Sequence, residues 1–270
     1  CHVGNKFFGC MAYADDIVLL SPSISGLRSM LRECENYCSK YLLQFNATKS
    51  VCVCFGRSIS NALPDLFLLG DKMSWRSHVK HLGHILMHNL SEEKEIAFKR
   101  GDLAGRVNTL LAKLPSVDNN IIMRLFNSQC AHFYGCVTWN LCDKSVDQFC
   151  TMYNRCIRRV LKLPYRTHKA FLPYLSKQPL SIVKIYQRCS KFLHNTCTLA
   201  NRIGFLARSC TGNHLSILCK NTQVITAFQP IPETDDNLAT AKAIEELLND
   251  NVAGFNREEA VQLAHFLCVS

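Results

Sequence analysis

The chain has 270 residues, 48% of them hydrophobic and 19% charged, and a formal net charge of +10. That mix excludes a disordered chain and allows one large domain or two ordinary ones with ample core. No run approaching about 18 apolar residues occurs, so no transmembrane helix is expected, and the start lacks the charged and apolar regions of a secretory signal.

In chain order, Lys6–Met11, Asp16–Leu20 and Val51–Phe55 have the short apolar runs of strands, and Phe8–Leu20 reads as a β-hairpin with Ala14-Asp15-Asp16 at its tip. Between them, Ser25 can cap a helix to about Tyr41, with Leu27, Met30/Leu31, Cys34, Tyr37/Cys38 and Tyr41 along one face. Leu66–Trp75 has a second hairpin pattern turning at Gly70-Asp71, and His81–Met87 that of a further short strand. From Ser91 onward the spacing is helical. Ser91 can cap a helix stopped by Pro115, and Asp118 one that reaches about Trp139. Ser145 and Gln148 have capping-box spacing, followed by Val146, Phe149/Cys150, Tyr153, Cys156/Ile157 and Val160/Leu161 on one stripe that Pro164 ends. Leu180–Thr196, Ala239–Asn251 and Arg257–Leu267 are expected to be helices, whereas Leu215–Pro232 is uninformative. The expected fold class is α+β: a small mixed unit over 1–88, then helical regions over 89–175 and 176–270.

The 16 cysteines sit in apolar-periodic segments of a long chain, as reduced buried hydrophobes do and a secreted disulfide scaffold does not. Cys130, Cys136, Cys142, Cys150 and Cys156 are expected in the helical core. Cys210, His214 and Cys219 have a spacing reminiscent of zinc ligands, but no C-x-x-C pair accompanies them. The charge is unevenly placed. Residues 1–147 hold 16 Lys/Arg and 13 Asp/Glu; Gln148–Pro232 holds 13 Lys/Arg and no acid; Glu233–Ser270 holds 8 acids and 2 bases. Solvated helical faces mix signs, so an 85-residue stretch without a carboxylate points to an external polyanion. Within it Arg155, Arg158, Arg159, Lys162, Arg166 and Lys169 lie close together, with Tyr165 and Phe171 interleaved. That grouping suits phosphate contact without base reading.

Tyr13-Ala14-Asp15-Asp16, followed by Ile17-Val18-Leu19-Leu20, places two adjacent carboxylates at a hairpin tip. Holding them together is costly unless a cation neutralises them, and Mg²⁺ suits hard carboxylate and phosphate oxygens. The hairpin is followed by a helix, by Leu43-Gln44-Phe45-Asn46-Ala47-Thr48-Lys49-Ser50, and by a strand. This order resembles the palm of reverse transcriptases, most closely those of non-LTR retrotransposons. Val79-Lys80-His81-Leu82-Gly83 resembles the family's primer-grip strand and turn. Arg158–His168, Leu172-Pro173, Arg188 and Phe192 are similar to its segment beyond the polymerase core, so the likeness spans about residues 1–210.

The resemblance implies an RNA-directed DNA polymerase that extends a DNA primer on an RNA template with dNTPs, located in the cytoplasm and nucleus, with no membrane partner. It implies a partial palm over 1–88 and a helical thumb beyond it. By that likeness Asp15 would be the principal Mg²⁺ ligand, Asp16 its assistant, and Tyr13 a neighbour of the primer terminus. Lys49 would neutralise the leaving pyrophosphate. His81, Leu82 and Gly83 would approach the primer backbone. One departure limits the match: only twelve residues precede Tyr13, so the family's fingers, template motif and earlier metal-binding aspartate have no counterpart. The chain also opens at Cys1, as a fragment or processed product does. The expectation is therefore a C-terminal portion, inactive alone, whose parent supplies the upstream polymerase half and an endonuclease domain. Two alternatives remain: a non-catalytic nucleic-acid-binding remnant of a degenerate element, and a group II intron-type maturase.

Overall fold

A computed structural model describes residues 1–3, 5–56 and 63–198. The helices expected over Ala239–Asn251 and Arg257–Leu267, the Cys210/His214/Cys219 spacing and the acidic segment all lie outside the described residues. Those described form two compact units, Cys1–Glu95 and Ile96–Thr198. The division falls seven residues beyond the expected boundary at 88, and one unit runs through the boundary expected at 175/176.

The first unit mixes one long helix with short strands. Strands β1 (His2–Val3) and β2 (Lys6–Phe7) pair antiparallel, as do β3 (Cys10–Tyr13) and β4 (Asp16–Leu19). The run expected as one strand over Lys6–Met11 is broken at Phe8-Gly9. Helix α1 (Ile24–Tyr41) is capped by Ser23, whose hydroxyl accepts from the Gly26 amide at 3.1 Å. The cap is thus two residues before the expected Ser25, which lies within the first turn. Leu27 and Leu31 turn inward and pack with Cys52, Leu66, Leu68 and Met73 to form this unit's core. The helix stops where Leu42 adopts the left-handed region, at φ 53°.

Strand β5 (Val51–Cys52) ends three residues before the expected Phe55 and pairs parallel with β8 (Ser74–Trp75). Strands β6 (Phe67–Leu68) and β7 (Asp71–Lys72) form a hairpin turning at Leu69-Gly70, one residue before the expected turn. The Glu35 carboxylate of α1 accepts from the Leu69 amide at 2.6 Å, and Arg28 donates to the Asp65 carbonyl at 3.2 Å, fixing that hairpin to the helix. The single strand expected over His81–Met87 is instead a hairpin of β9 (His78–His81) and β10 (His84–Met87). Its first arm, His-Val-Lys-His, has too little apolar character to signal a strand. Among the described residues every sheet has two strands.

Helix α2 (Glu93–Lys113) follows a turn in which Ser91 Oγ accepts from the Glu93 amide at 3.3 Å. Glu95 is 3% exposed and its carboxylate lies 3.0 Å from His84 Nδ1, which holds the hairpin to the helix start. In the second unit, Asp118 caps α3 (Asn119–Leu125) as expected. The helix does not reach Trp139, however. It widens into a π-helical turn over Phe126–Cys130, breaks, and resumes as a 3₁₀ turn over Cys136–Thr138. Helix α4 (Lys144–Val160) is capped by Asp143, which accepts from the Ser145 amide and hydroxyl at 2.7 Å, so Ser145 is held by the cap rather than forming it. Leu172–Ser176 forms α5 and Ser181–Thr198 forms α6.

Helix α4 buries Val146, Phe149, Tyr153, Cys156, Ile157 and Val160, the stripe expected from the spacing. Phe149 packs edge-on against Trp139 at 5.2 Å between ring centroids, and Tyr153 lies 5.4 Å from both Phe126 and Phe133. Ile96, Leu103 and Val107 of α2, with Leu172 and Ile185, complete the core. Burying each large side chain contributes about 1.5–3 kcal/mol. Cys130, Cys136 and Cys156 are core residues as expected, but Cys142 is exposed and Cys150 half-buried. Every cysteine whose side chain is described is a free thiol.

Candidate functional site

The Tyr13–Asp16 segment closes the β3–β4 hairpin. Tyr13 pairs with Asp16 as the last rung, leaving Ala14 and Asp15 as a two-residue turn. Ala14 takes φ 53°, in the positive-φ region that tight hairpins require. Alternation along β4 brings Ile17 after Asp16, and every residue from Tyr13 to Ile17 is exposed, Tyr13 at 68%. The tip therefore presents Asp15 and Asp16 to solvent on neighbouring backbone positions.

Lys49 lies at the end of a separate turn. Asn46 Oδ1 accepts from the Lys49 amide at 3.0 Å and from the Thr48 hydroxyl at 2.7 Å, an arrangement that ends the chain reversal just before β5. The Lys49 side chain is exposed, and no hydrogen bond or ion pair joins it to Asp15 or Asp16. His81 ends β9, and Leu82 and Gly83 form the two-residue turn to β10, at φ 46° and φ 79°. Two successive positive φ angles make Gly83 the residue type this turn favours, and the exposed Leu82 lies at its tip.

Two exposed carboxylates have the right chemistry for a hard cation, which takes six or more oxygens or keeps several waters. They fall short of a site. Among the described residues no group of three or more His, Cys, Asp or Glu side chains could hold a metal ion. The described residues therefore do not by themselves make up a complete Mg²⁺ centre.

The basic residues of the second unit divide in two. Arg159, Arg166 and Lys169 are exposed, and Arg155 is exposed with its guanidinium 5.5 Å from the centre of the Tyr165 ring. Arg158 and Lys162 do not simply face solvent. Arg158 Nε donates to the Thr167 carbonyl at 2.8 Å, and burial lowers its pKa from the usual value. Lys162, at φ 54° just past α4, donates from Nζ to the Pro115 carbonyl at 3.1 Å. Both tie loops to the helix end. His168 has a structural task too: its Nδ1 accepts from the Ala170 amide at 3.3 Å, starting the 3₁₀ turn Lys169–Phe171.

Sequence reasoning missed Lys184. It is half-buried, hydrogen-bonded to Tyr153 Oη at 3.0 Å and to Gln178 Oε1 at 3.1 Å. Burial, and then the neighbouring Arg188, pull its pKa down to about 8. The only available signal was its place in the carboxylate-free stretch. No described helix is long and apolar enough to cross a membrane. Comparison with models of protein families, with curated proteins and with solved structures gave no match.

Proposed function

We propose that this chain is a C-terminal part of an RNA-directed DNA polymerase of a non-LTR retrotransposon, one that copies an RNA template by extending a DNA primer with dNTPs. The observation that carries the reading is the exposed two-residue tip of the Tyr13–Asp16 hairpin, with Asp15 in the turn and Asp16 on its first strand residue. Two further features support it: Lys49 ending a turn immediately before β5, and the tight β9–β10 turn at His81–Gly83. In this reading Asp15 and Asp16 present oxygens to Mg²⁺, with at least one more ligand coming from elsewhere in the parent protein. Tyr13 flanks the primer end, Lys49 neutralises charge on the departing pyrophosphate, and the exposed cations of α4 hold the phosphate backbone.

Joining the chain to its upstream reading frame tests this directly. With RNA template, DNA primer, dNTPs and Mg²⁺, the joined protein should extend the primer, and Asp15→Asn should slow it on the order of 10³-fold while nucleic acid still binds. The 270-residue chain alone should not extend. A joined Asp15→Asn variant keeping more than about a tenth of the rate would refute the ligand role. The shortfall of metal ligands among the described residues, beside the exposed Arg155 and Arg159, favours one second reading, a nucleic-acid-binding remnant. Salt-dependent binding without extension by the joined protein would establish that reading instead.

A further inference from the structure

A cleft of about 370 Å³ opens in the second unit beside the π-helical turn. Lys184, Arg188 and Lys191 line one wall, spaced four and three residues apart and so on one face of α6. Asn127 of the π turn, Phe133 and Gln178 line the rest. The wide turn matters, because a π insertion displaces the side chains of its own turn from the ordinary helical positions and is often found where ligands bind. Phe133, 3% exposed, forms an apolar floor with Lys184 Nζ 5.9 Å and Arg188 Cζ 5.8 Å from its ring centre.

The polar inventory is one-sided. Three cations face the cleft, and among the described residues no carboxylate lines it. Lys184 spends two of its three N–H groups on Tyr153 and Gln178, which leaves one for a ligand. Arg188 meets the Phe133 ring face and leaves its in-plane N–H fork for an acceptor. Asn127 Oδ1 is buried and has no hydrogen-bond partner, an uncommon state that costs free energy. It can accept from a P–O–H group or, with the amide turned over, donate from Nδ2. Burying a cation and setting a second one beside it are both unfavourable; burial first, and then Arg188, lowers the Lys184 pKa. An anion in the cleft would reverse that cost.

We propose that this cleft is a binding site for a terminal phosphate, with Arg188 and Lys184 holding the phosphoryl oxygens, Lys191 at the entrance and Asn127 at the back. The volume matches a mononucleotide-sized ligand. The phosphate arrives either on a free nucleotide or on the end of a nucleic-acid strand; the second source rests on the polymerase reading above.

The full chain is titrated by calorimetry with inorganic phosphate, with a 5′-mononucleotide and with its nucleoside, and by anisotropy with one oligonucleotide bearing either a 5′-phosphate or a 5′-hydroxyl. The mononucleotide should bind at least about tenfold more tightly than the nucleoside, because the phosphate makes the charge-assisted contacts. Arg188→Gln should remove most of that difference, and Lys191→Gln should reduce it by less. Both positions are exposed, so circular dichroism should stay unchanged; Lys184→Gln is the more demanding variant because Lys184 packs on Tyr153. Preference for the 5′-phosphate strand identifies a strand end, whereas binding of the free nucleotide alone identifies a small ligand. Equal binding of nucleotide and nucleoside, or an Arg188→Gln protein that still discriminates, overturns the proposal. Oligonucleotide binding indifferent to its 5′ end, with no mononucleotide bound, overturns the cleft and leaves the polymerase reading standing. Phosphate binding without oligonucleotide binding does the reverse.

Discussion

Arg158 and Arg159 are neighbours in sequence and should behave as opposites. Arg158 Nε donates to the Thr167 carbonyl at 2.8 Å, and Thr167 is 6% exposed. Arg158→Gln removes a charged donor from a carbonyl with little access to water. Hydrogen bonds to charged groups contribute about 1.5–3 kcal/mol, and the partial exposure of Arg158 brings the expected loss to roughly 1–2 kcal/mol. For a domain of about 100 residues, each kcal/mol lowers Tm by roughly 4–8 °C. Arg159 is exposed, so Arg159→Gln should change stability by less than about 0.5 kcal/mol. If α4 contacts phosphates, Arg159→Gln should lower the slope of log affinity against log salt by about one unit. Thermal melts followed by circular dichroism give the first quantity, and anisotropy titrations with duplex or RNA at several salt concentrations give the second. A native Tm for Arg158→Gln would refute the structural role of Arg158. An unchanged salt slope for Arg159→Gln would place the nucleic-acid face elsewhere.

Leu172→Ala, at a fully buried position in the core of the second unit, should cost about 2–5 kcal/mol by denaturant titration; a loss under 1 kcal/mol would mean the site collapses around the cavity. Gly83→Ala forces a Cβ into a turn residue at φ 79° and should destabilise the first unit by about 1–2 kcal/mol, detectable as faster amide exchange across β9–β10. Lys184 releases its proton near 8 in the fold but near 10.5 when unfolded. Between those values the unfolded chain holds more protons, so this group makes stability rise with pH. Buried thiols such as Cys156, pushed up to about 11, act in the opposite direction above pH 9. The native chain should therefore gain stability relative to Lys184→Met from pH 8 to 10.5, and a constant difference would contradict the burial of that charge.

Legibility in the sequence followed the range of the interaction. The α4 stripe was readable because six inward positions repeat at one helical period. The Tyr13–Asp16 hairpin was readable because two apolar arms flank a short polar tip. Strand β9 was not, since its pairing with β10 rather than its own composition makes it a strand. The helix expected from Asp118 to Trp139 failed for another reason: apolar spacing continues through Phe126 and Cys130, but Gly135 at φ 90° and the π turn redirect the chain. The caps shifted by two residues at both Ser25 and Ser145, because an oxygen two or three positions upstream reached the free amides first. For the candidate sites, residue types were legible but partners were not. Nothing local distinguishes Arg158, bound to Thr167, from the exposed Arg159 beside it.

The pairing pattern of the first unit also sets the order in which it can assemble. Strands β3–β4, β6–β7 and β9–β10 each close over a two-residue turn, so each can form alone within about 1–10 μs. The β5–β8 pairing differs: it joins Val51-Cys52 to Ser74-Trp75 in parallel, after a much longer stretch of chain has been brought round. Its closure entropy must be met before its hydrogen bonds and the Cys52–Met73 contact give anything back. That step is the natural barrier to folding of this unit, and the hairpins are its preformed parts. Substitutions at Cys52 or Trp75 should therefore slow folding, whereas changes at the tips of the finished hairpins, including the aspartate pair, should chiefly alter how fast the unit comes apart.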